Sequence, residues 1–413
     1  MLLMAGTYRK YNERKDRKAI HRIWQECGWI GEEKKEAATL DRFLKTASAV
    51  VFELSGQAEA VSLSTPARFR HTETDLPLAA ITGVTTSRVA RNQGAASGTL
   101  VRLIAQEAAG GAALSGLGMF EQGFYDRFGF GNGTYELFVR FDPAWLKDYG
   151  KPPAPVRLGP EDWKAIHEAR LGRRKLHGAT DLLPPEISQC ELEWTKNVFG
   201  LGYRTDGVLT HFFVGRADDV EVGPYSIEWL VYHSFDELRD LLGLIRGLGD
   251  QVRWVRIKEP RDVQIQSLLR KPFQLQTLTR GSRHESRTVA EAYWQLRILD
   301  VPRCVAAVVT ESELAFNLTL KDPIAARLPE DAPWHGCAGD YTVRFGRASS
   351  AESAATGGLP TLNASVNDFT RFWMGAASAE VLAGLGSFRA PPELIAALDR
   401  TLRLPPPAPD WDY

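Results

Sequence analysis

Seven residues, RNQGAAS from Arg91 to Ser97, stand between a strand-forming run, LPLAAITGVTTSRV, and a run whose Leu100, Leu103 and Ile104 recur at helical spacing. Few local patterns constrain a fold more. A strand that passes through glycine and alanine into a helix needs an α/β layer to hold both elements. The same small residues leave the backbone N–H groups at the helix start approachable, which is the chemistry of an anion cradle. They also suit an ordinary turn that opens a helix, and Arg-x-x-Gly-x-Ala by itself does not separate the two readings.

The neighbouring segments supply the rest of such a layer. Upstream, DRKAIHRIWQECGWI puts Ile20, Ile23, Trp24 and Cys27 on one helical face, and AVVFELSGQAEAVSLSTPARF predicts two strands about a Ser-Gly turn. Downstream, AALSGLGM, the segment FEQGFYDRFGFGNG and the strand TYELFVRF complete a first domain expected over residues 1–147. PAWLKDYGKPPAP marks its end by Pro and Gly content. Beyond it, Asp162, Lys164, Ala165, Ile166 and His167 repeat the order Asp16, Lys18, Ala19, Ile20 and His21. VLTHFFVG, YSIEWLVY and SFDELRDLLGLIRGL then repeat the strand and helix order. This second copy, residues 148–290, has HSFD where the first has its glycine loop. Residues 291–413 alternate strands with a few helices and predict a third, α+β domain.

A chain of 413 residues is long enough for two or three cores. Its 50 basic and 51 acidic residues leave a formal charge of -1, so no global field draws it to nucleic acid or to an anionic membrane. Cys27, Cys190, Cys304 and Cys337 show no CxxC pair and no His/Cys metal spacing. They are expected to be thiols in a reducing cytoplasm, with no metal. No apolar run approaches a membrane span, and the basic stretch near the amino terminus follows the short apolar one instead of preceding it, so no signal peptide is expected.

One helix and one strand beyond the glycine loop comes GFYDRFGFG. Together, ITGVTTSRV, the RxxGxA loop, the helix and FYDRFGFG resemble the acyl-CoA site of the GCN5-related N-acetyltransferases (GNAT). The resemblance implies that Val84, Thr85 and Thr86 line the pantetheine arm of acetyl-CoA, and that Asn92, Gln93, Gly94, Ala95, Ala96 and Ser97 cradle its pyrophosphate. It also implies that Phe120 and Glu121 flank the cofactor and that Tyr125 protonates the leaving thiolate. The order of the whole chain resembles the Eis (enhanced intracellular survival) family: tandem GNAT folds, mixed α/β, followed by a sterol-carrier-protein-like domain. That family implies a second copy without CoA, a homo-oligomer of hexameric form, and no metal.

Acetyl transfer to an amine needs a neutral nitrogen, a stabilised oxyanion and a proton for the thiolate. A tyrosine, with an ordinary pKa of about 10, keeps its proton at neutral pH and suits the last task. Tyr125 also reads as one packing aromatic among Phe120, Phe124, Phe128 and Phe130. No histidine adjoins the loop: His71 lies in the HTETD hairpin and His21 in mid-helix. The family's base is the chain's own terminal carboxylate, carried here by Tyr413 at the end of PPPAPDWDY, where relatives commonly end in phenylalanine. Asp410 and Asp412 beside it favour a cationic acceptor: a polyamine, an aminoglycoside or a lysine side chain. Trp24 and Trp29 either wall the acceptor pocket or belong to the core. Gly83 stands where the family often has an aromatic, a departure that reshapes the acceptor site. The competing class is a non-catalytic protein that senses acyl-CoA or carries an apolar ligand; an intact loop together with Tyr125 favours the enzyme.

Overall fold

Asn12 closes the first helix at its amino end: its side chain accepts the Lys15 N–H at 3.1 Å, and Glu13 and Asp16 stand in the first turn, where acids complement the helix dipole. The helix, α1 (Glu13–Glu26), buries Ile20, Ile23 and Trp24 at the predicted spacing. In the computed structural model, which describes residues 6–119, 121, 123–273 and 285–412, the chain divides into two compact units. One comprises Met1–Thr134, Leu176–Pro184 and Tyr293–Tyr413; the other comprises Tyr135–Lys175 and Pro185–Ala292.

The first unit contains β1 (Thr7–Lys10), α2 (Lys34–Thr46), β2 (Ser48–Leu54), β3 (Gln57–His71), β4 (Thr74–Thr86), α3 (Ala95–Ala109) and β5 (Leu114–Gly118). Strands β1 to β5 lie side by side in that order, and all their pairs are antiparallel except β4 with β5. That parallel pair requires a crossover, which α3 provides. Leu100, Leu103 and Ile104 of α3 are fully buried and share a core with Val50, Ile81 and Leu117 of the strands. The core continues into the carboxy-terminal third through Leu299 and Ile324.

Two strands lie elsewhere than the sequence suggested. TYELFVRF was expected to close the first sheet, yet Glu136–Phe141 sits in the second unit, hydrogen-bonded between Val255–Lys258 and Arg287–Glu291. The place beside β5 is taken by Trp294–Ile298, which also pairs with Gly131–Asn132. Burial explains the exchange. All five residues of Trp294–Ile298 are buried, as a central strand requires, while Val139 and Phe141 face the second unit's core. The first unit is completed by a four-stranded sheet, in the order Ser350–Glu352, Gly339–Phe345, Leu314–Lys321, Thr361–Ser365, with helices that include Val366–Trp373 and Pro392–Thr401.

The second unit is a seven-stranded sheet with a parallel pair, Tyr225–Val231 and Val255–Lys258, joined through the helix Phe235–Gly247. It repeats the strand, helix, strand order of β4, α3 and β5. The chain as described is a mixed α/β fold, as expected.

Candidate active site

Strand β4 carries a bulge at the site. Val61 faces Thr85 and Leu63 faces Thr82, so Gly83 and Val84 together stand opposite Ser62. Gly83 adopts φ +56°, in the left-handed region where only glycine sits without strain. A Cβ at this position would come within 2.6 Å of Leu63 Cδ1 and 3.2 Å of the Trp24 ring. The absence of an aromatic here is therefore a requirement of the bulge. The bulge coincides with a split in the sheet. Pairing between β4 and β5 ends at Ile81 and Leu117, while β4 continues to Thr86. Beyond that point no strand among the described residues pairs with the β5-facing edge of β4, and an extended ligand can pair with such an edge.

A cavity of about 250 Å³ opens at the split, lined by Trp29, Ile81, Thr82, Gly83, Val84, Leu117, Gly118, Met119, Tyr125 and Tyr293. A second, of about 350 Å³, lies along the end of β4 and is lined by Glu26, Cys27, Trp29, Val84, Thr85, Thr86 and Arg91. Val84 and Trp29 belong to both, so the two cavities adjoin along one stretch of strand.

The glycine loop follows directly. Asn92 at φ +62° and Gly94 at φ +77° turn the chain into α3. Gly94 occupies the cap position without any side-chain cap, no acid stands in the first turn, and the first helical bond is Gly98 N–H to Gly94 C=O at 2.9 Å. The amides of Ala95, Ala96 and Ser97 precede that bond and lie at the positive end of the helix dipole. Gln93 folds back, donating from Nε2 to the Val89 carbonyl at 2.8 Å. The matching helix of the second unit is closed: Ser234 Oγ accepts the Glu237 N–H at 3.3 Å, and Asp236 and Glu237 fill its first turn. An anion would meet a hydroxyl and two carboxylates there, so the site is absent from that copy.

Tyr125 lies at the cavity, 7% exposed, edge-on to Phe124 at 4.9 Å and to Phe130 at 6.2 Å. It thus both packs with the phenylalanines and reaches the cavity. Burial pushes its phenol up to about 12, which holds the proton on the oxygen through the neutral range.

The remaining predicted residues separate clearly. Trp29 lines both cavities and is 36% exposed, whereas Trp24 is 6% exposed, stacked edge-on against Trp29 at 5.1 Å and packed in the core near the bulge. Glu121 and Asp412 are exposed, and neither lines these cavities. Phe120 and Tyr413 lie outside the described residues. The tail that leads to Tyr413 is ordered against the first unit. Ala408 N–H donates to the His177 carbonyl at 3.1 Å, Thr134 Oγ1–H to the Pro407 carbonyl at 2.6 Å, and Thr180 N–H to Asp410 Oδ1 at 3.1 Å; Trp411 is 1% exposed.

Sequence reasoning missed Tyr293, Met119 and Arg91. Tyr293 enters from the far third of the chain: its carbonyl accepts the Met119 N–H at 2.7 Å, and its ring covers Gly118 so closely that a Cβ there would lie 2.5 Å away. Arg91 was legible in the RxxGxA motif itself as a cation beside the anion cradle. His71 and His177 form a buried pair elsewhere in the unit, with ring centroids 5.0 Å apart and each hydrogen-bonded to a backbone carbonyl. Among the described residues, no group of three or more His, Cys, Asp or Glu is placed to hold a metal, and no helix is long and apolar enough to cross a membrane.

Residues 7–133 match the family model of the acetyltransferase (GNAT) domain. No curated protein matches the chain in sequence. Solved structures match over its whole length. A probable N-acyltransferase of unknown function from Enterococcus faecalis V583 aligns with TM-score 0.81 at 16% identity, covering 99% of this chain and 100% of that one. A GCN5-related N-acetyltransferase from Kribbella flavida aligns with TM-score 0.77 at 16% identity, covering 99% and 98%. Eis1 from Mycobacterium abscessus aligns with TM-score 0.74 at 17% identity, covering 99% and 100%. At these identities the likeness is one of fold.

Proposed function

We propose that this chain, whose residues 7–133 form an acetyltransferase (GNAT) domain, is an acyl-CoA-dependent N-acetyltransferase that moves an acetyl group from acetyl-CoA to a primary amine. The observation that carries the reading is that two adjoining cavities run from the buried Tyr125 past the split between β4 and β5 to Arg91, just before the uncapped start of α3.

Each has a task. The Ala95, Ala96 and Ser97 amides, with Asn92, Gln93 and Gly94 shaping the turn and Arg91 beside it, suit a pyrophosphate. The β4 edge at Val84, Thr85 and Thr86 suits the pantetheine arm, an extended chain with amides of its own. Phe120 and Glu121 are assigned beside the cofactor. Tyr125 keeps its proton at Oη through the neutral range and is assigned as the donor to the departing thiolate. The Tyr413 carboxylate is assigned as base; burial raises a carboxylate's basicity, and the ordered tail supports the assignment because its prolines limit the entropy lost on docking. Trp29 and Tyr293 offer aromatic faces to an incoming ammonium before it loses its proton. The acceptor class is a polyamine, an aminoglycoside or a lysine side chain, and the α+β domain expected over residues 291–413 is read as sterol-carrier-protein-like.

The test is thiol release from acetyl-CoA in the presence of spermidine, kanamycin and a lysine-containing peptide. Acceptor-dependent release is expected. Measurable CoA binding with no release for any amine would favour a sensor of acyl-CoA over an enzyme.

A further inference from the structure

The segment that bears Tyr125 is held from behind by three side chains from the far end of the chain. Asn367, at the start of the helix Val366–Trp373, donates from Nδ2 to the Asp126 carbonyl and to the Phe130 carbonyl, both at 2.8 Å. Gln295 donates from Nε2 to Asp126 Oδ1 at 2.8 Å. Arg297 donates from Nη1 to the Phe128 carbonyl. Arg297 is fully buried and pairs through Nη2 with Asp322 Oδ2 at 2.8 Å; Asp322 in turn accepts the Cys337 N–H at 2.8 Å.

This arrangement is costly for a fold to keep. An ion pair with no solvent exposure loses hydration on both sides, and apolar residues of similar shape often serve stability as well or better. Packing is equally tight: a Cβ at Gly129 would meet Val366 Cγ1 at 2.7 Å and Arg297 Nη1 at 2.9 Å, and one at Gly131 would meet the Asn367 carbonyl at 2.3 Å. Three of the backbone carbonyls between residues 126 and 130 are thereby tied to side chains at fixed points.

We infer that Asn367 and Arg297 are positioning residues that clamp the 126–130 turn and so hold the Tyr125 hydroxyl in register with the cavity. The inference rests on Tyr125 as the proton donor. Burial raises the Tyr125 phenol, and the clamp bonds to the backbone carbonyls of the turn, so it acts through geometry. Proton transfer is steep in distance, and misplacement by about 1 Å costs on the order of 100-fold in rate.

Asn367 is partly exposed and outside the cavity lining, which makes Asn367→Ala the cleanest probe. Its kcat for spermidine, kanamycin or lysine-peptide acetylation is expected to fall by roughly 10- to 100-fold, with acetyl-CoA affinity within about 2-fold of the parent. Amide hydrogen exchange across residues 125–131 should rise. In a Tyr125→Phe background, where the donor is already gone, Asn367→Ala should add little, the non-additivity expected of residues that act as one unit. An unchanged kcat, unchanged exchange, or the same fold-loss in both backgrounds overturns the clamp. Should Asn367→Ala not fold, Asn367→Leu keeps about the same volume and removes the donor without adding a charge. If Tyr125→Phe itself turns over at the parent rate, the acid assignment fails and the clamp's catalytic role with it, a result the exchange measurement reads separately.

Discussion

Replacing Trp411 by alanine tests whether the order of the tail matters to turnover. Trp411 is 1% exposed and is the largest group that the last residues bury; around it stand the hydrogen bonds of Ala408, Pro407 and Asp410 to His177, Thr134 and Thr180. Deleting a fully buried tryptophan side chain costs about 3–5 kcal/mol. The three hydrogen bonds, at roughly 1 kcal/mol each, are already made in the parent and do not offset the loss. Local opening of the tail, with the remaining core folded, is the expected form of the loss, which then appears as undocking. At 1.4 kcal/mol per tenfold, docking weakens by about two to three and a half powers of ten. Steady-state thiol release should then fall toward that of a chain ended at Leu404, with the main thermal transition lowered by only a few degrees. A chain with residues appended after Tyr413 should be impaired as well, with its fold intact. Parent-like kcat in Trp411→Ala and in the truncated chain would refute any catalytic part for the tail.

Tyr125→Phe should lower kcat at least about 100-fold while acetyl-CoA affinity holds, the size expected for loss of a general acid. With the phenol pushed up to about 12, the parent's rate should show no fall from tyrosine ionisation below pH 10, and a basic-limb loss near pH 8 that vanishes in Tyr125→Phe would contradict its assigned state. Gly83→Ala places a Cβ at φ +56° against Leu63 and should cost about 1–2 kcal/mol from backbone strain alone, more with the clash, seen as a lower melting temperature and weaker acetyl-CoA binding. His71, buried against His177, is held down at about 4, below its unfolded value near 6.5. The unfolded chain therefore binds this proton first, so stability rises with pH between about 4 and 6.5; the stabilisation is full above 6.5 and is lost as pH falls through 4, about 3 kcal/mol in all. Urea titrations at pH 7 and pH 4.5 check the slope, which His71→Gln should flatten.

The parts of the site that were legible in the sequence are those made by neighbours in the chain. RNQGAAS announces its own turn, because glycine and the residues beside it fix the helix start locally, and the second copy's HSFD announced its closure by Ser234 in the same way. FYDRFGFG identified Tyr125 by resemblance, and the structure adds its burial and its place on the cavity. What was not legible is non-local. Nothing in YWQLRI says that it pairs with β5, nor that Tyr293 then covers Gly118. Glu136–Phe141 follows the first domain's residues directly, and only its partners across the sheet assign it to the second unit. Trp24 and Trp29 were both expected on the first helix, but α1 ends at Glu26 and Gly28 turns the chain at φ +73°, which leaves Trp24 in the core and Trp29 on both cavities. At Gly83 the sequence shows only a departure that reshapes the acceptor site, whereas its positive φ gives a backbone reason for glycine.

Acetylation of an amine is the central claim, and the mass of the amine itself decides it. Spermidine, kanamycin and a lysine peptide would each be incubated with acetyl-CoA carrying an isotopic label in its acetyl group, with parent protein and with Tyr125→Phe. The account predicts labelled N-acetyl product on at least one amine with the parent and a much smaller yield with Tyr125→Phe. Label that remains on CoA with every amine, under conditions where the protein binds CoA, would contradict it.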